Sequence, residues 1–456
     1  MKKTDAVIIG FGKGGKTLAG ALANAGKKVI LIEKSDKMYG GTCINVACIP
    51  TKSLVHSASL SAAAGGTFDE KARRYEAAIE EKTRLTAMLR DKNYHKLADN
   101  PNITVLNAAA AFTSPQSVHA DLADGGSEDI EAAQFFVNTG ARPFVPDIPG
   151  LRDSRRVYLS ETMLELKKLP EHLAIIGGGY IGVEFASMYA NFGSEITVIQ
   201  DGEAFLPRED AEIAQAVLNS LEARGVKIIR SAKTTGIRDT DNAAVLSVET
   251  PQGKTEITAE TVLVAAGRRP NIDFAPEKAG IELTPRGAVK VDEHLKTSVN
   301  NIYAMGDVAG GLQFTYISLD DFRIVSSAVL GDGSRTTLNR GAVPYSVFLD
   351  PPFSRVGLTE QEAIDKGYSV KTARLPAAAI PKAQVLRKPV GLLKAVIDAN
   401  TGKILGAHIF CEESHEIINL LKLAIDAGIP YTVLRDSIYT HPTMSEGLND
   451  LFAAVR

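Results

Sequence analysis

The chain has 456 residues, 45% apolar and 23% charged, with a formal net charge of -3. That length exceeds a single hydrophobic core and predicts roughly two to four domains, while the near-neutral charge argues against a nucleic-acid or anionic-membrane partner. Three cysteines are too few for a secreted disulfide scaffold.

The N-terminal stretch MKKTDAVIIGFGKGG has two lysines and a short apolar run that glycines interrupt at once. A signal peptide needs a longer apolar core, so the run reads as a strand. No stretch reaches the ~18 apolar residues of a membrane span, and the expected location is the cytoplasm. From Ala6 to Lys34 the pattern is strand, glycine turn, alanine-rich helix, strand. Gly10, Gly12 and Gly15 form G-x-G-x-x-G, which permits a tight turn, close approach of a pyrophosphate and close helix–strand packing. Glu33 ends the second strand, where a carboxylate bonds both ribose hydroxyls of an adenosine and repels a 2′-phosphate, fitting FAD or NAD.

The stretch GGTCINVACIPTK (Gly40 to Lys52) then places Cys43 and Cys48 with four residues between them at the start of a helix expected over Pro50 to Ser59. A helix N-terminus favours thiolate. Cys48 lies nearer that start and is the better stabilised thiolate; Cys43 is freer to meet a substrate. A structural zinc site needs about four ligands, and only His56 lies nearby in sequence. A redox pair is preferred over a metal clip or two inert buried thiols, and no metal site is expected. Asp69 to Leu97 carries charges at helical spacing, reading as a helix with a solvated face.

Leu173 to Asp201 repeats the first pattern in register. Gly177, Gly179 and Gly182 match the first three glycines, and Gln200 stands where Glu33 stands. Glutamine bonds a 2′-hydroxyl without repelling a phosphate, and no arginine lies close in sequence to clamp one, so NADH and NADPH both fit. Two dinucleotide sites and a dithiol make a two-electron relay from nicotinamide to flavin to sulfur. Cys411, flanked by His408 and His415, reads as core, with weak metal capture the lesser alternative.

Together GFGKGG, GGTCINVACIPTK, NTGARP, GGGYIGVEFA, AAGRRPN, MGDVAGG and HPTMSE resemble the class I pyridine nucleotide–disulfide oxidoreductases along essentially the whole chain. The resemblance implies an FAD-dependent enzyme with NADH or NADPH as donor. It makes Cys43 the interchange thiol, Cys48 the flavin-side thiol, and Lys52 with Glu184 an ion pair beside the flavin N5. Asp307 would hold the ribityl chain. His441 and Glu446 would be an acid–base dyad reaching the thiols from the other subunit of a homodimer. FAD contacts are expected from Gly10, Gly12, Gly15 and Glu33, from Gly41, Thr42 and Lys52, from Gly140, Gly306 and Asp307, and from Gln313, Phe314 and Thr315. NAD(P) contacts are expected from Gly177, Gly179, Tyr180, Ile181, Gly182, Gln200 and Gly267. One departure is Ala47, where the family usually carries glycine.

The implied fold is α/β: two Rossmann-like dinucleotide-binding domains, for FAD (1–150 and 271–335) and NAD(P) (151–270), followed by an α+β dimerisation domain (336–456). Within the family, QFTYISLDDFRIV, VPYSVFLDPPFSRVGLTE, LPAAAIPKAQV and YTHPTMSEGLNDLF resemble the bacterial oxidant-defence group that reduces hypothiocyanous acid, to which copper(II) reduction is also ascribed. Mercuric reductase fits less well, since its C-terminal cysteine pair has no counterpart in NDLFAAVR. Dihydrolipoamide dehydrogenase is the alternative within the family. A non-catalytic flavin-binding redox sensor is the alternative outside it, and it requires a break in the relay that the sequence does not contain. The partner implied by the favoured reading is a small-molecule oxidant.

Overall fold

Alternation along the first strand decides how the N-terminal sheet is buried. In Lys2–Ile9, Ala6 and Ile8 face helices Lys13–Asn24 and Thr315–Leu330 through Leu18, Leu22, Ile324 and Val325. Val7 and Ile9 face the opposite way, toward Phe112, Phe274 and Val289. Both faces of a parallel sheet are covered in this way, which is why the central residues Ala6–Ile9 are apolar without a break. The computed structural model describes residues 1–456. Its first sheet runs in the order Ile103–Ser114, Val29–Glu33, Lys2–Ile9, Ser127–Val137, Ile302–Ala304, all parallel. Strand Ser117–Leu122 pairs antiparallel with two of them. This sheet belongs to a unit made of Met1–Leu54, Ala77–Phe144 and Gly267–Arg340.

A second unit comprises Val55–Glu76, Val145–Ala266 and Gly341–Arg456. It contains another parallel sheet, ordered Lys227–Ile229, Glu195–Ile199, His172–Ile176, Thr261–Val264, Val157–Leu159. The repeat seen in sequence is therefore a repeat in structure: helix Tyr180–Phe192 leaves the second glycine turn as Lys13–Asn24 leaves the first. The same unit holds a five-stranded antiparallel sheet, Tyr345–Val347, Phe353–Gly357, Ile404–Phe410, Leu392–Asp398 and Val370–Pro376. Helices Ser414–Asp426 and Gly447–Ala453 pack on it through Ile417, Leu421, Leu448 and Phe452. Two Rossmann-like sheets and a C-terminal α+β layer are the architecture expected.

Three local expectations are refined. The helix expected from Pro50 starts at Cys48 and runs to Ala64. Pro50 sits in its first turn, where the missing N–H removes no helical bond. The charged segment forms one helix, Phe68–Ala98, yet it is not simply a solvated face, because Tyr75 and Lys82 on it are buried. Cys411 is fully buried, and burial pushes its thiol pKa up. His408, three positions earlier on strand Ile404–Phe410, is also buried, with Nε2 3.0 Å from the Leu358 carbonyl. No three His, Cys, Asp or Glu side chains gather as a metal site. No helix is long and apolar enough to cross a membrane.

Candidate active site

The redox loop lies directly on the first glycine turn. Gly41 has φ of +83°, and a Cβ there would stand 2.7 Å from the Gly12 Cα, so only glycine fits. Beyond it the short helix Thr42–Asn45 carries Cys43, and helix Cys48–Ala64 opens on Cys48. Both are half-buried free thiols. Cys48 thus sits at the positive end of the helix dipole, which stabilises a thiolate. The Cys43 thiol hydrogen-bonds Cys48; that bond first, and burial second, push the Cys43 pKa up. A raised pKa keeps the proton on Cys43. Thr315, expected as a flavin contact, begins helix Thr315–Leu330 with its Oγ1 3.4 Å from the Cys48 Sγ, and its hydroxyl also bonds Cys43. A hydroxyl thus serves both sulfurs.

The residues around the first turn fit a dinucleotide. The Glu33 carboxylate accepts the N–H of Phe11 at 3.0 Å and of Ser35 at 3.3 Å, and burial raises its pKa. The helix amides of Gly14 and Gly15 are taken by the Ser318 Oγ (3.0 Å) and the Asn138 Oδ1 (2.8 Å). The Gly12 and Lys13 amides are the ones left without a protein partner. The Asp307 carboxylate, in the turn Gly306–Ala309, accepts no hydrogen bond from the protein, and burial raises its pKa despite the nearby Arg268. An unpartnered half-buried carboxylate is what a polyol chain requires. Gly306 places it, donating its N–H to Asp321 at 2.7 Å. Gly140 (φ +70°) has open space beside it, Gln313 is exposed, and the Phe314 and Tyr316 rings stack at 5.2 Å.

Asn138 and Ser318 were not singled out from the sequence. Asn138 lies inside NTGARP, a motif read only for its glycine. It is 5% exposed and bonds Gly15 N–H and the Met305 carbonyl (2.7 Å), linking the glycine turn to the Asp307 turn. Asn138→Ala leaves two buried polar groups unmet. It should lower stability by about 2–4 kcal/mol, seen as a reduced thermal midpoint and as FAD lost on gel filtration.

The second turn has the same build. Gly177 has φ of +114°, with the Ala265 carbonyl 2.5 Å from where a Cβ would be, whereas the space beside Gly179 is open. Gly182 and Ile181 follow in helix Tyr180–Phe192. Gln200 is buried, and its amide Nε2 donates to the carbonyls of Gly202 (2.9 Å) and Ala204 (2.8 Å). Those two acceptors fix the amide's orientation. The remaining Oε1 lies against the turn, 2.3 Å from a Cβ built on Gly178. The structure also brings up an arginine the sequence order did not: Arg230 donates to the Glu203 carbonyl at 3.3 Å. Tyr180 donates to Glu209, which also accepts from the Tyr345 hydroxyl at 2.7 Å; burial raises the Glu209 pKa. Gly267 lies in the first unit, where its carbonyl accepts the Phe144 N–H at 2.8 Å.

Of the remaining expected residues, Lys52 is half-buried on the first unit's share of helix Cys48–Ala64. Glu184, in the second unit, is buried and accepts the Phe348 N–H at 2.8 Å. The His441 Nδ1 is 2.9 Å from the Glu446 Oε2, with the imidazole 70% exposed and the carboxylate 14% exposed. That bond leaves Nε2 outward.

Residues 4–321 match the model of the pyridine nucleotide-disulphide oxidoreductases, and residues 343–452 match that family's dimerisation domain. The chain is 49% identical over 457 residues to the probable pyridine nucleotide-disulfide oxidoreductase RclA of Escherichia coli, covering all of both chains. It is 34% identical to a mercuric reductase of Bacillus cereus, over 97% of this chain and 70% of that one. It is 32% identical to a dihydrolipoyl dehydrogenase of Mycobacterium bovis, over 99% and 98%. Among solved structures, the Cu(II) complex of the HOCl-induced flavoprotein disulfide reductase RclA from E. coli matches at a TM-score of 0.93 and 49% identity, over 99% of each chain. The Cu(II) complex of its C43S mutant matches at 0.94. With its paired glycine turns, its thiol pair and this kinship, the chain belongs to the pyridine nucleotide-disulphide oxidoreductases: it is an NAD(P)H-dependent, FAD-containing flavoprotein disulfide reductase.

Proposed function

We propose that this enzyme reduces a small thiol-directed oxidant, hypothiocyanous acid, in oxidant defence. The observation that carries the reading is the thiol pair itself. Cys43 holds the proton and Cys48 opens a helix, and both lie in a half-buried loop whose attacking group needs no large substrate arm. Kinship to an HOCl-induced reductase supports it.

FAD, when bound and reduced by NAD(P)H, supplies the electron pair that reopens the Cys43–Cys48 disulfide. Asp307, Glu33 and the amides of Gly12 and Lys13 hold it. We assign its site to the unit containing residues 1–54, and the nicotinamide site to the segment 151–270. His441 takes the Cys43 proton, the thiolate so formed attacks the sulfur of HOSCN to give a Cys43 S–SCN adduct and hydroxide, and the imidazolium returns the proton to make water. The Cys48 thiolate then attacks the Cys43 sulfur and expels thiocyanate, closing the disulfide. Two cysteine thiolates lose two electrons and HOSCN gains them.

His441 points out from a single chain, and residues 343–452 form the family's dimerisation domain. We therefore place each His441 beside the thiols of the other subunit in a homodimer. Glu446 accepts from Nδ1–H, so Nε2 does the proton work. Lys52 and Glu184 are assigned to the point where hydride crosses.

The test is turnover of holoenzyme with HOSCN, Cu(II), Hg(II), oxidised glutathione and lipoamide side by side, each with NADH and NADPH. HOSCN should exceed the other substrates in kcat/KM by about 100-fold or more. A lead for lipoamide would sink the choice of substrate. Cu(II) is the second substrate to watch, because the E. coli relative was solved as a Cu(II) complex. NADH should be favoured by roughly tenfold, since the one free atom of Gln200 is an acceptor that suits a ribose hydroxyl and opposes a phosphate. NADPH preference abolished by Arg230→Ala would instead make Arg230 the selector.

A further inference from the structure

One charged side chain beside the thiols has no part in the relay described above. Lys16 lies on helix Lys13–Asn24, with its Nζ 2.6 Å from the Asn93 Oδ1 and 3.3 Å from the Gly40 carbonyl. The Asn93 amide is oriented by its own Nδ2, which donates to the Leu89 carbonyl at 2.6 Å, so the oxygen is turned to the ammonium. Gly40 is packed tightly there: a Cβ would stand 2.8 Å from the Ile44 Cδ1 and 3.4 Å from the Asn93 Cγ. One turn before Asn93 on helix Phe68–Ala98, Arg90 donates to the Lys37 carbonyl (3.2 Å) and to the Asn45 Oδ1 (3.3 Å). Buried Asn45 in turn donates to the carbonyls of Tyr39 and Gly41. Helix Phe68–Ala98 thus grips the redox loop on both sides of Gly40, and Lys16 closes the grip from the glycine-turn side.

We propose that Lys16 is a positioning residue for the thiol pair: its ammonium ties the Gly40 backbone to Asn93 and places a positive charge against the redox loop that carries Cys43. This rests on Cys43 being the attacking thiol. The groups facing Lys16 are Lys13 on its own helix, Lys96 on Phe68–Ala98 and Cys43 on the redox loop. Cys43 in turn faces Cys48 and the Thr315 hydroxyl. Burial first, then Lys13, lower Lys16 to about 8, while Cys43 works in the opposite direction. The sign follows: a protonated Lys16 lowers the Cys43 pKa, so its help is present below about pH 8 and fades as pH rises through that value.

The test is alkylation of the NADH-reduced holoenzyme by iodoacetamide across pH, with peptide mapping of the labelled cysteine. Thiol ionisations here belong to the pair, so the quantity read is the apparent midpoint at Cys43. Lys16→Gln keeps a donor for Gly40 but removes the charge. It should raise the midpoint by about one pH unit and slow labelling at neutral pH roughly tenfold. Lys16→Arg should restore most of the native profile, and Asn93→Ala, which frees the ammonium without removing it, should give a partial shift. The proposal fails if K16Q superimposes on the native curve, if K16R shifts as far as K16Q, or if N93A is indistinguishable from native. No oxidant enters this assay, so a wrong substrate assignment does not affect it. Labelling of Cys48 in place of Cys43 in the native enzyme would defeat the thiol assignment, and the proposal with it.

Discussion

Replacing Cys43 with serine should lower turnover of hypothiocyanous acid by about 10³-fold or more, with FAD still bound and still reduced by NAD(P)H. Serine keeps the shape of the loop but offers no nucleophile at neutral pH. Cys48→Ser should be equally inactive for a different reason: Cys43 can still attack, but nothing displaces thiocyanate from it. The two variants part in their residual chemistry. In Cys48→Ser the hydrogen bond and the negative charge that hold the Cys43 pKa up are gone, so Cys43 should ionise at lower pH and react faster with iodoacetamide than in the reduced native enzyme. In Cys43→Ser, the stabilised thiolate at the start of helix Cys48–Ala64 remains. Anaerobic NAD(P)H should then give a long-wavelength thiolate–flavin band in Cys43→Ser and none in Cys48→Ser. A band retained by Cys48→Ser would reverse the roles of the two sulfurs.

His441→Gln should cost about 10²–10³-fold in oxidant turnover, the range of a lost general acid, with flavin content unchanged. The side chain is 70% exposed and touches only Glu446 among ionisable partners, so the loss cannot come from a disturbed core. Hybrid dimers decide whether it acts across the interface. A Cys43→Ser chain paired with a His441→Gln chain holds one complete site only if cysteine and histidine come from different subunits. Co-expression should then recover about half of native activity from the purified hybrid, although each parent is inactive. A dead hybrid would place the dyad in its own subunit's site.

Features confined to a short span of chain were legible in sequence. The two glycine turns, Glu33 at a strand end, the thiol loop and the His441–Glu446 pair each depend on near neighbours, whose geometry is set by backbone sterics and helix spacing. The parts that were not legible join distant segments. Asn138 reaches Gly15 across 123 positions and Ser318 reaches Gly14 across 304, and neither asparagine nor serine advertises such a contact. That the Thr315 hydroxyl reaches the sulfurs was not legible, because the direction of a helix start is a tertiary fact. The first-turn amides illustrate the same limit: the motif predicts free donors, but which of them the protein itself consumes depends on residues far along the chain. Cys48 was placed just outside its helix, since a proline read as a helix opener also fits inside the first turn.

The sealed position of Cys411 carries a further meaning. A disulfide reductase gains nothing from a bystander sulfhydryl at its surface, because each accidental adduct or mixed disulfide there would inactivate or cross-link it. Here the spare thiol is walled off by the β-layer of the C-terminal domain, so the thiols that remain within reach are the two that can be regenerated.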